Sequence, residues 1–116
     1  MNDGEGGAAA VQTRLNELVR KFISRTAFDL AQMREGLARL DAGKRDDNGN
    51  ALAQIHHLAH RICGTSGTLG LIALSDAAAD LERRIESWPA DAIPEPAERA
   101  QIAAGIDRIA AQVRSL

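Results

Sequence analysis

From Val11 to Leu116 the apolar residues recur at spacings of three and four and nowhere alternate, so the chain has the pattern of helices and none of a sheet. The first stretch carries Leu15, Leu18, Val19, Phe22 and Ile23, and after Ser24 to Thr26 the stripe resumes at Leu30, Met33, Leu37 and Leu40. It breaks at DAGKRDDNGN, residues 41 to 50, where Asn50 is placed to cap a second stripe of Leu52, Ile55, Ala59, Ile62 and Leu69. A third stripe, Leu74, Ala78, Leu81, Ile85 and Trp88, stops at Pro89 within the Pro-containing PADAIPEP. The last runs through Ile102, Ile106, Ile109, Val113 and Leu116. Short connections between amphipathic helices make sequential neighbours antiparallel. The expected fold is therefore all-α, an antiparallel up-and-down four-helix bundle, with a short additional N-terminal helix where the first stretch divides near Thr26. The opening MNDGEGGAAA is Gly-rich and aperiodic, which predicts a disordered tail over residues 1–10 and a single helical domain over residues 11–116.

Size and charge narrow the function. A chain of 116 residues makes one core and leaves no room for a catalytic domain beside a separate nucleotide-binding one. Its 14 basic and 16 acidic residues give a net charge of -2, so no global field draws in nucleic acid or an anionic membrane. The single cysteine forms no internal disulfide, and no secretory or long apolar segment is present, so a reducing cytoplasm is the expected compartment.

Against this plain background, IHHLAHRICGTSGTLG, residues 55 to 70, gathers all three histidines, the one cysteine and three of the ten glycines. At roughly 100° per residue, His57, His60, Gly64 and Thr68 form one row facing away from the core, with His56 and Cys63 at its boundary. Gly64, one turn after His60, leaves bare backbone beside the ring, although glycine in a helix costs about 1 kcal/mol relative to alanine. A plainer reading, stronger for Gly70 than for Gly64, is that the glycines permit close packing of a neighbouring helix or mark the helix's C-terminal end. The segment GTSGTLG lacks the Lys-Ser/Thr and preceding strand of a phosphate-binding loop, and Ser66 lacks the setting of a nucleophile elbow. His56, His60 and Cys63 at i, i+4 and i+7 offer three zinc-competent groups, but three ligands on one straight helix converge poorly and a carboxylate such as Asp80 or Glu82 would have to complete the set. Phosphoryl transfer through His60 accounts for more of the segment. Imidazole has a neutral, nucleophilic nitrogen near pH 7, and a phosphoramidate passes its phosphoryl group on readily. Positioning and charge neutralisation can then come from a partner's active site, and the small residues from Gly64 to Thr68 leave room for it and offer hydroxyls to phosphate oxygens.

The stretch AHRICGTSGTLGLIALSDAAADLE, residues 59 to 82, resembles the signature of histidine-containing phosphotransfer (Hpt) domains of bacterial two-component phosphorelays. His60, Ile62, Gly64, Gly70 and the pair Leu81 and Glu82 occupy the family's motif positions, while Cys63 stands where the family usually has lysine. Lys44, Arg45 and Arg83 are the candidates to supply that cation from neighbouring elements. The resemblance implies a four-helix phosphocarrier with no ATP site and no cofactor of its own. His60 would be the phosphorylation site, and response-regulator receiver domains, with a hybrid histidine kinase as a further candidate, would be the partners; Mg2+ and the catalytic acids would belong to the receiver. His57, Arg61, Gly64, Gly67, Thr68 and Leu71, with Ile72 beside it, are the expected docking residues. The chain is expected to be a stand-alone monomer binding no metal. Two alternatives stand beside this reading: an adaptor of the same fold that binds a receiver or kinase without being phosphorylated, and a helical zinc protein using His56, His60 and Cys63.

Overall fold

The computed structural model describes residues 3–41, 45–89 and 93–116. Four helices follow one another, α1 (Asp3–Asp41), α2 (Arg45–Thr68), α3 (Ile72–Glu86) and α4 (Pro96–Arg114), and no strand occurs among the described residues. Each helix packs against its sequence neighbours, and α1 closes the ring against α4. This is the up-and-down bundle that the short connections demand.

The stripes meet in one core: Phe22, Leu30, Met33 and Leu40 from α1, Leu52, Ile55, Leu58 and Ile62 from α2, Leu74 and Leu81 from α3, and Ile102, Ile106 and Ile109 from α4. Two glycines let helices close on each other. A Cβ built on Gly105 of α4 would lie 2.9 Å from a Leu81 methyl, and one on Gly36 of α1 would lie 3.4 Å from Ile55. The helix ends are specified locally. Pro96 occupies the first turn of α4, where no intrahelical amide partner is lost, and Glu95 and Glu98 exchange the reciprocal side-chain-to-backbone contacts of a capping box. At the other end of α2, Gly70 takes φ +76°, and the amides of Leu71 and Gly70 reach back to the carbonyls of Ser66 (2.8 Å) and Gly67 (3.1 Å). That is a Schellman motif, which needs the residue without a Cβ at Gly70.

Three local expectations give way. α1 is one helix through Ser24 to Thr26, so the additional N-terminal helix is its leading end and not a separate element. The helix also runs through the glycine-rich segment from Asp3 onward, where the composition predicts a disordered tail; extending a packed helix costs far less than nucleating one. Asn50 is inside α2, which begins at Arg45. The leading end of α1 runs past the bundle, leaving Val11, Leu15 and Leu18 at 44 to 60% exposure, so the apolar stripe there does not join the core.

Candidate functional site

α2 carries the histidine row and α3 lies against its boundary. His57, His60, Gly64, Gly67 and Thr68 are all exposed, while Leu58, Ala59 and Ile62 between them are buried, as the helical spacing requires. The His60 side chain is 70% exposed, and its Nδ1 lies 2.7 Å from Oε1 of Glu82 on α3, a carboxylate only 16% exposed. A carboxylate only accepts, so this contact places a ring proton on Nδ1 and, in the neutral imidazole, leaves the lone pair on Nε2. The nucleophilic nitrogen therefore faces solvent while the other is anchored. One turn earlier, His56 Nε2 meets Glu86 Oε1 at 2.8 Å. Two histidines at i and i+4 on α2 thus face two glutamates at i and i+4 on α3.

Beside the ring, Gly64 has open space: a Cβ there would meet nothing within 4 Å. No packing constraint requires glycine at this position. Gly67 differs, since its Cβ would come within 3.4 Å of the Ser75 hydroxyl.

The hydroxyls of this segment are mostly engaged. Ser66 is fully buried and donates to the Ile62 carbonyl at 2.6 Å, and Thr68 donates to the Gly64 carbonyl at 3.0 Å, so neither is presented to an incoming phosphate as the sequence suggested. Arg61 also departs from its expected docking role. Its guanidinium turns to α1 and pairs with the buried Asp29 at 2.6 Å, tying α1 to α2. Leu71 packs partly against the core, and its neighbour Ile72, 62% exposed, is the apolar side chain that this rim presents.

Cys63 sits half-buried with Sγ 3.5 Å from the Ser75 hydroxyl. The zinc set of His56, His60 and Cys63 is not drawn together among the described residues. The cluster that does form is His56, Glu82 and Glu86. Of the candidate replacement cations, Arg83 is bound to Asp80 on its own helix, and Lys44 and the side chain of Arg45 lie outside the described residues. The charge beside His60 is thus a carboxylate's.

A groove of about 230 Å³ does exist, between α1 and α2, lined by Phe22, Thr26, Asp29, Arg61, Ile62 and Thr65 among others, but His60 is not on its wall. The His60 ring stands exposed on the surface, outside that groove.

The Hpt domain family model matches residues 17–112, most of the chain. The protein is a member of the Hpt domain family. Hpt domains are helical phosphocarriers of two-component phosphorelays, working with receiver domains and kinases. Comparison with curated proteins and with solved structures returns no match. Among the described residues of the Hpt chain, no helix is long and apolar enough to cross a membrane.

Spacing put His60 on an exposed face, where the structure has it, but did not reach its contact with Glu82, which it considered as a metal ligand and as a motif position. The signal was present: the pair His56 and His60 and the pair Glu82 and Glu86 share one spacing on consecutive helices.

Proposed function

We propose that His60 Nε2 accepts a phosphoryl group from the aspartyl phosphate of one receiver domain and donates it to the aspartate of another. The observation that carries this reading is the His60 ring itself, held through Nδ1 by Glu82 and open to solvent at Nε2 beside the bare Gly64 backbone. In the forward step the Nε2 lone pair forms the N–P bond as the P–O bond to the aspartate carboxyl breaks, and the carboxylate departs with the bonding electrons. The ring then carries both the phosphoryl group and the Nδ1 proton, and Glu82 offsets the resulting positive charge. Donation reverses each event. Charge on the moving phosphoryl group is neutralised by the receiver's Mg2+ and catalytic acids, and the carrier contributes a rigid, oriented nucleophile. His57, Gly64, Gly67, Thr68 and Ile72 form the docking face.

The test is transfer from a labelled, phosphorylated receiver domain to wild type and to His60→Gln. Acid-labile, base-stable label on the wild type alone supports the proposal. Gly64→Gln, which adds a side chain where the fold has space, is expected to keep native helicity and block transfer; normal transfer by that variant would sink the docking model. A second reading is favoured by one observation, Cys63 in the lysine position with Arg61 and Arg83 engaged by Asp29 and Asp80. In that reading the domain binds a receiver or kinase without carrying phosphate, and His60→Ala would bind as wild type does while neither became labelled.

A further inference from the structure

The second rung of the ladder, one turn from His60, has a chemistry that phosphoryl transfer does not use. A His56 ring nitrogen, a Glu82 carboxylate oxygen and a Glu86 carboxylate oxygen all lie within 4.8 Å of one another, and Nε2 is the nitrogen that meets Glu86. They come from two helices, Glu82 and Glu86 from consecutive turns of α3 and His56 from the facing side of α2, so they surround a point instead of stacking along one axis. That removes the geometric objection to ligands drawn from a single helix. The partners that hold these glutamates are imidazoles, His60 on Glu82 and His56 on Glu86, and not arginines. Arg83 and Arg84, which lie between them in sequence on α3, bind Asp80 and Gln101 instead.

The geometry points to a binding site for a divalent transition-metal ion of the zinc class, with His56 Nε2, Glu82 and Glu86 as protein ligands and water completing a tetrahedron. One imidazole nitrogen and two carboxylates form a donor set suited to such an ion. Ligand atoms around zinc stand about 3.3 Å apart when the bonds are about 2.0 Å long. The present separations, 2.8 Å between His56 and Glu86 and none above 4.8 Å, reach that by side-chain rotation. The ion takes the place of the hydrogen now shared between His56 Nε2 and Glu86; the neutral ring changes tautomer by exchange with solvent, its proton moving to Nδ1 so that Nε2 presents a lone pair to the ion. Glu82 then faces two ways, toward the ion and toward His60 Nδ1. Bound metal draws electron density from that carboxylate and weakens its hold on the His60 ring. The metal site rests on side-chain placement alone; its bearing on His60 rests on the phosphocarrier reading.

The test is titration of the full chain with Co2+, read by the visible absorption of the tetrahedral ion, and then displacement by Zn2+. One ion per chain is expected. His56→Ala and Glu86→Gln are each expected to weaken binding by about tenfold or more, the loss typical of damage to a metal site. His60→Gln and Cys63→Ser are expected to bind at least as tightly as wild type. Glu86 is more than half exposed, so Glu86→Gln keeps the fold and reads the site even if His56→Ala does not. Absence of stoichiometric binding, or binding lost in Cys63→Ser and retained in both His56→Ala and Glu86→Gln, overturns the proposal. Neither result depends on phosphoryl transfer, so the metal site and the phosphocarrier reading fail separately.

Discussion

At the scale of single residues, the site is one imidazole with a carboxylate behind it. If Glu82 fixes the tautomer and aim of His60, then Glu82→Gln, whose amide can present either donor or acceptor to Nδ1, should slow phosphoryl transfer on the order of 10²-fold while receiver binding stays unchanged. Equal loss of binding and rate would make Glu82 a docking residue instead. His60 was legible in the sequence because periodicity alone puts it outside and Gly64 beside it. Glu82 was not, because its partnership with His60 depends on how α2 and α3 are rotated against each other, which one-helix periodicity does not specify. Arg61 was misplaced for a related reason. Its position on the α2 wheel left several directions open, and the buried Asp29 on α1 selected one.

Helices and their ends give tests of a different kind. Glycine serves opposite purposes at Gly64, inside α2, and at Gly70, just past its C-terminal end. Gly64 has open space and ordinary helical backbone, so Gly64→Ala should stabilise the fold by about 1 kcal/mol and raise Tm by about 4 °C. Gly70 is left-handed, so Gly70→Ala should destabilise by about 1 kcal/mol. Thermal denaturation of the two variants checks both signs, and the same sign for both would contradict the helix-end geometry. Between α1 and α2, Arg61→Ala strands the buried Asp29 carboxylate and should cost about 3 kcal/mol, part of which Asp29→Asn in the same chain should restore. Chemical denaturation of the single and double variants measures that coupling. Between α3 and α4, Arg108 reaches Asp80 at 2.6 Å. The hydrogen bond from Arg108, with that from Arg83 behind it, holds the Asp80 carboxyl below its ordinary 3.8. A carboxyl with a depressed folded pKa stabilises the fold above its unfolded pKa and loses that contribution as pH falls through the folded value. Asp80→Asn should accordingly lower Tm slightly at neutral pH and leave it unchanged well below pH 3.8, as thermal scans across pH will show. Neither the Arg61–Asp29 nor the Arg108–Asp80 pairing was readable from spacing, since each joins residues whose faces meet only after the bundle closes.

The whole molecule is longer than its core requires. Its radius of gyration is 17.2 Å, against about 13 Å for a compact chain of this length, because the leading end of α1 projects beyond the other helices. Small-angle scattering of the monomer should return a value near 17.2 Å, and removal of the first 14 residues should bring it toward the compact figure without a large change in Tm. The bundle was visible in the sequence from its stripes and breakers; the projection was not, because Leu15 and Leu18 carry the same apolar pattern as the residues that do find partners. The exposure of His60 has a consequence in time. On the phosphocarrier reading, a phosphoryl group left there between encounters is shielded by no wall of its own protein, so bulk water competes with the next receiver for it. The domain would then behave as a short-term memory whose decay is set by the hydrolysis of an exposed phosphoramidate, and a message would survive only where acceptors are abundant enough to arrive before the water does.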